Sequence, residues 1–333
     1  MFELRWTRGD YVDSVNRVAL AVTRPDGVAL DHPACDPEFR TFLRSAAKPA
    51  QAAGAVRDRT LERFGLDDRH LAVACGSHNG SPAHTDVVAE ILEASSVPVS
   101  ALTPGDDGQG GPLQHQCSGN HALALAWCAA NDWPLDTYLN PAHPLQQAMG
   151  RWVTWWLGSR PEEAPDGCGM VAYRTTLADA ARAFARLARP GGGTSGERSD
   201  PPGAAAHVGQ DLGPKALARC GAAMRAHPEL VRWPGELDTE LMRAADADGL
   251  VAKCGAEGFW ACGTAEGWGV ALRVIDGANR AWPPAGIRAV RQLLGDKLVA
   301  DLGVPELDEI ADPAVLDGKG VRIGRLEPIV EWG

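Results

Sequence analysis

The stretch GLVAKCGAEGFWACGTAEGWGVALRVIDG, Gly249–Gly277, constrains the fold more than any other part of the chain. It holds short apolar runs separated by turn residues at Ala256-Glu257 and Thr264–Gly267, and Val270, Leu272 and Val274 fall on one face at the period of a strand. Runs joined by turns this tight pair as antiparallel neighbours. A second strand signal lies near the other end. VNRVALAVTRPDGVAL, Val15–Leu30, alternates on both sides of a Pro-Asp-Gly turn and predicts a hairpin. Between these blocks the period becomes helical. Val87, Val88, Ile91 and Leu92 share a stripe behind the breaker Gly80-Ser81-Pro82, and His121–Ala130 follows Cys117-Ser118-Gly119. Leu177, Ala180, Ala181, Phe184 and Leu187 repeat at helical spacing, with Thr176 and Asp179 placed as a capping pair.

Strands near both ends and helices between them predict an α+β chain. Residues 1–44 and 248–333 are expected to form a lobe built on an antiparallel sheet, and residues 45–247 a mainly helical lobe, within one unit of 333 residues. The tract GGGTSGERSDPPG, residues 191–203, lacks periodicity and is expected to be a flexible surface insertion. It lacks the preceding strand and the Gly-Lys-Ser/Thr ending of a phosphate-binding loop.

A net charge of -11 without a Lys/Arg run argues against nucleic-acid and anionic-membrane partners, leaving a small-molecule substrate. No apolar stretch is long enough to span a bilayer. The charged start MFELRWTRGDYVD lacks the apolar core of an export signal, and the eight scattered cysteines form no CxxC pair. A cytoplasmic protein with reduced thiols is expected.

Only five lysines occur among the 32 basic residues: Lys48, Lys215, Lys253, Lys297 and Lys319. Arginine stays charged in proteins, whereas a buried lysine can act as a neutral base. Two of the five sit in suggestive places. Ser45-Ala46-Ala47-Lys48 puts an amine one helical turn after a hydroxyl, where the amine could take the serine proton. Lys253-Cys254-Gly255 embeds a lysine in an apolar strand, at a cost unless it is paired or neutral. Ser77-His78-Asn79 closes the apolar run LAVAC and reads equally well as a helix cap. In order, these motifs resemble the Ser-x-x-Lys, Ser-x-Asn, Lys-x-Gly set of penicillin-recognising serine enzymes.

Longer segments resemble one family, the Rhizobium etli-type L-asparaginases: RSAAKPAQA (44–52), ACGSHNG (74–80), CSGNHALAL (117–125), DGCGM with LADAARAFARLA (166–188), DTELMRA (238–244) and VAKCGAEGFWACG through GVALRVIDGANRA (251–281). The resemblance covers most of the chain. It implies a serine β-lactamase-like fold, a homodimer, and hydrolysis of L-asparagine to L-aspartate and ammonia. It also implies two Ser-Lys tandems, Ser45 with Lys48 and Ser77 with Lys253. Ser45 is the expected nucleophile and Lys48 its base. Arg44 and Asp166 are candidates for the substrate's carboxylate and ammonium, and His78, Asn79, Cys117 and Asn120 complete the expected pocket.

Two departures stand out. Where the family writes Cys-Ser-Gly-Lys-His, this chain has Cys117-Ser118-Gly119-Asn120-His121, and the later zinc-binding cysteine aligns with Asp238. Cys117 and Asp238 remain as a metal pair, but an amide oxygen is a poor zinc ligand, so no cofactor is expected to be required. The family's Ser-His-Ser-Gly-Glu also becomes Ser77-His78-Asn79-Gly80-Ser81, with one acid lost near the pocket. The alternatives are another serine amidase or esterase of this fold, or a binding protein that has lost its chemistry.

Overall fold

Val18–Val22 are buried on both faces, so this segment needs a strand on each side and cover above and below. Both chain ends supply those neighbours. The computed structural model describes residues 1–191, 213–245, 249–295 and 302–329. Its strands in chain order are β1 (Phe2–Arg8), β2 (Tyr11–Thr23), β3 (Arg40–Phe42), β4 (Glu162–Pro165), β5 (Val171–Thr176), β6 (Leu250–Gly255), β7 (Phe259–Thr264), β8 (Gly269–Val274), β9 (Val315–Leu316), β10 (Arg322–Gly324) and β11 (Leu326–Ile329). The main sheet is antiparallel, ordered β11-β1-β2-β8-β7-β6. The N- and C-terminal segments meet where β2 pairs with β8, Leu20 opposite Leu272.

The helices are α1 (Lys48–Arg57), α2 (Thr60–Phe64), α3 (Asp68–Cys75), α4 (Pro82–Ala94), α5 (Ser118–Ala130), α6 (Pro144–Leu157), α7 (Leu177–Ala188), α8 (Gly213–Ala226), α9 (Pro228–Val231), α10 (Leu237–Ala244), α11 (Trp282–Leu294) and α12 (Pro305–Ala311). The apolar stripe of α7 lies across β7 and β8, and the Thr176 hydroxyl caps this helix by accepting from the Asp179 N–H at 3.1 Å. Helices α1, α3, α5 and α8 pack on one another beside the sheet. This α+β arrangement, an antiparallel sheet from both chain ends with helices between them, is the one expected from the sequence. No helix among the described residues is long and apolar enough to cross a membrane.

Two local expectations change. The hairpin about Pro25-Asp26-Gly27 survives only as a bridge between Thr23 and Ala29. Strand β2 instead takes β1 and β8 as partners, and Pro33 and Pro37 beyond the turn cannot donate to a ladder. A small sheet, β3-β5-β4, also lies in the central part of the chain. Its strand β3 leads directly into the turn that carries Ser45. The insertion expected at 191–203 falls, after Gly191, outside the described residues.

Candidate active site

Ser45 lies in a single 3₁₀ turn, Arg44–Ala47, between β3 and α1. Arg44 enters that turn at φ 51°, a left-handed conformation uncommon for a side chain of its size. The end of β6 presses against the same turn. A Cβ on Gly255 would sit 2.2 Å from the Leu43 carbonyl oxygen, so only glycine lets this strand approach. The glycine of Lys253-Cys254-Gly255 thus brings the lysine's strand against the serine's turn.

The amine at 48 does not bond to the Ser45 hydroxyl. The 3₁₀ turn ends at Ala47, and Lys48 begins α1 with its N–H on the Ser45 carbonyl. Its Nζ donates to the Gly76 carbonyl at 2.7 Å and to Ser77 Oγ at 3.1 Å. From the opposite side, Lys253 Nζ donates to the same Ser77 Oγ at 3.1 Å and to the Cys254 carbonyl at 2.9 Å. Two amines therefore converge on one buried hydroxyl. Ser77 itself is held by its N–H on the Val231 carbonyl at 2.8 Å.

Lys253 is fully buried on the edge strand of the main sheet. Burial pushes its pKa below the ordinary 10.5, and the Lys48 amine and Arg232 guanidinium push the same way against Cys254 and Asp238. Ser45 and Ser77 both line a cavity of about 450 Å³, with Arg232, Glu236, Cys254 and Glu257 in its wall. That is ample for a small amino acid.

The family model of L-asparaginase II matches residues 4–328. The chain belongs to that family. No curated protein matches the sequence. Among solved structures, a crystal structure of Mglu is similar in fold, at 16% identity and a TM-score of 0.51, covering 84% of this chain and 66% of that one. Mglu in its glutamate form gives 15% identity and a TM-score of 0.48, with 84% and 61% covered. The chain thus spans under two thirds of the length of these Mglu chains.

The remaining family positions divide sharply. Cys117 stands at the start of α5, its Sγ 4.0 Å from Ser45 Oγ. A hydrogen bond with Cys168 draws its pKa well down, helped by Lys48 and His115 and opposed by burial, while the Cys168 thiol is pushed up. Arg44 and Asp166 close on each other through two bonds of 2.9 and 3.1 Å. His78 is a buried support. Its Nδ1 accepts the Gly80 N–H at 3.1 Å, leaving Nε2 to donate to Ser118 Oγ at 2.9 Å, and Ser118 passes its own proton to the Leu113 carbonyl. Burial, with His84 and Lys48 nearby, lowers the His78 pKa to about 3, so the ring is neutral. Asn79 is exposed and accepts the Ser81 N–H at the start of α4, outside the cavity wall. Asn120 is buried in the first turn of α5.

Asp238, expected to hold a metal with Cys117, has both of its oxygens taken. Asp238, on α10, spends one oxygen on the Cys254 N–H at 2.8 Å and the other on Trp260 Nε1 at 2.9 Å. It pins the edge strand β6 and is not brought to Cys117. Among the described residues no three His, Cys, Asp or Glu side chains gather as a metal site. Sequence reasoning missed Arg232, Glu236 and Glu257 in the cavity wall. Arg232 lies just beyond a four-residue helix whose position only the tertiary fold determines.

Proposed function

We propose that this chain hydrolyses the side-chain amide of a small amino acid, L-asparagine first, through a serine acyl-enzyme. The observation that carries the reading is the Ser77 hydroxyl bonded by both Lys48 and Lys253 in the wall of a cavity that Ser45 also lines. Family membership supports the amide substrate.

Ser45, the more open hydroxyl, adds to the carboxamide carbon, and its proton passes to the Ser77–lysine network. Lys253, the amine that burial drives toward neutrality, is the base of that network. The Ser45 N–H, in a first turn whose N–H groups lack intrahelical partners, is the proposed donor to the oxyanion. The tetrahedral intermediate expels ammonia, which leaves with the network's proton. Water then adds to the acyl-enzyme, releases the carboxylate and restores the serine hydroxyl. This assigns Lys253 the part expected of Lys48 from its spacing to Ser45. Cys117, beside Ser45, is proposed to tune the nucleophile's surroundings and needs no metal to do so. A homodimer in the cytoplasm completes the proposal.

A second reading makes Ser77 the nucleophile, favoured because the bonds from both lysines end on its oxygen. Ammonia release from L-asparagine and L-glutamine by wild type, Ser45→Ala and Ser77→Ala separates the two. L-glutamine is included because Mglu has a glutamate form. The first reading expects Ser45→Ala to lose at least about a hundredfold in kcat. Wild-type activity in that variant, with mass-spectrometric trapping of an acyl group on Ser77, would transfer the role. No ammonia from either amide would remove the proposal.

A further inference from the structure

We propose that Arg232 and Glu236 form the site for the substrate's α-carboxylate and α-ammonium, so that the cavity selects zwitterionic amino-acid amides. This rests on the hydrolytic reading above and names the residues that give it specificity. The Arg44–Asp166 pair expected to do this is closed: both carboxylate oxygens already take hydrogen bonds from the guanidinium, and neither residue lines the cavity. Arg232 and Glu236 both line it.

Their contact is a single one, Arg232 Nε to Glu236 Oε2 at 3.0 Å, and Arg232 Nη1 reaches Cys254 Sγ at 3.2 Å. Among the described residues, Arg232 Nη2 and Glu236 Oε1 make no hydrogen bond. The two side chains keep 17% and 27% exposure, enough to meet a small ligand.

The guanidinium is also fixed in orientation. It lies 4.2 Å from the Trp233 ring centroid and 6.0 Å from that of Trp282. Aromatic faces hold an arginine fork without using its N–H groups, leaving them for a carboxylate. Distance to the chemistry is short. Cys254 Sγ, 3.2 Å from Arg232, is 3.5 Å from Lys253 Nζ, which bonds Ser77. Ser45 and Arg232 line the same cavity, and in L-asparagine only a methylene and the α-carbon separate the carboxamide from the carboxylate.

The test compares three substrates: L-asparagine, succinamic acid (which lacks the amine) and 3-aminopropanamide (which lacks the carboxylate). Arg232→Met is expected to raise KM for L-asparagine and succinamic acid about a hundredfold, with kcat changed less than about threefold, while kcat/KM for 3-aminopropanamide falls less than about threefold. Arg232→Lys, which keeps charge but not the fork, falls between. Glu236→Gln should give the complementary pattern, weakening the two amine-bearing substrates and sparing succinamic acid. An equal fall on all three substrates, or an unchanged KM for L-asparagine in Arg232→Met, overturns the assignment. Calorimetric binding of L-aspartate separates this claim from the reaction. A wild type that releases no ammonia yet binds L-aspartate at least tenfold more tightly than both Arg232 variants keeps the subsite and sinks the hydrolytic reading. Hydrolysis or binding indifferent to both variants, with unchanged Tm, sinks the subsite.

Discussion

Two buried charged side chains meet the same edge strand and have opposite fates. Asp238 has each carboxylate oxygen on a fixed donor, the Cys254 N–H and the Trp260 indole. Lys253, one residue before Cys254, finds only neutral acceptors, with Lys48 and Arg232 close by. A satisfied buried charge holds structure together, whereas an amine stripped of water by burial, with like charge beside it, is pushed toward the form that can accept a proton. Under the proposed mechanism the contrast gives construction to Asp238 and chemistry to Lys253.

The sharpest way to break this contrast is to exchange the expected consequences. Lys253→Met should lower kcat by about a thousandfold while Tm holds or rises, because a base is lost and a buried amine removed. Ammonia-release kinetics with a thermal melt check both halves. A large fall in Tm with near-normal kcat would make Lys253 the structural member.

Asp238→Ala should do the reverse in kind, costing about 3 kcal/mol of stability because two buried donors lose their acceptor. Asp238→Asn, which keeps one acceptor oxygen, should cost less. Denaturant titration measures both, and an unchanged midpoint in the alanine variant would remove the pinning role. Gly255→Ala is next. Its Cβ would strike the Leu43 carbonyl at 2.2 Å and displace the Ser45 turn, lowering kcat/KM by about tenfold to a hundredfold with a smaller loss of stability. Wild-type kinetics in this variant would show that the strand can retreat without harm.

The smallest effect is in pH. A lysine whose folded pKa lies below its unfolded value binds fewer protons in the native state between the two values. Stability should therefore rise with pH across that window, and kcat/KM should rise with it as the base is freed. Melts and rates across the alkaline range check this. A kcat/KM limb at or above the ordinary lysine value would count against Lys253 as the base.

Much of the fold was legible because period and position agree. The turns at Ala256-Glu257 and Thr264–Gly267 do separate β6, β7 and β8, and the Leu177 stripe became α7 with its Thr176 cap. The hairpin at Pro25 was not, because alternation gives a strand but does not name its partner. In the site, the sequence singled out Ser45, Lys48, Ser77 and Lys253, and helical spacing paired Lys48 with Ser45, whereas its amine bonds Ser77. The change from a 3₁₀ turn to an α-helix between these two residues leaves no mark in composition. Asp238 resembled a metal ligand because alignment cannot tell an oxygen facing a cation from one facing a backbone N–H. Arg232 could be found only once the fold had placed it beside Cys254.

The central claim is that Lys253 is the proton acceptor of the cluster, and the titration of its own nitrogen tests it most directly. Nitrogen-15 NMR of lysine-labelled protein, assigned by loss of the signal in Lys253→Met, would follow Nζ with pH. A midpoint clearly below 10.5 is expected. A midpoint at or above 10.5 would contradict the account.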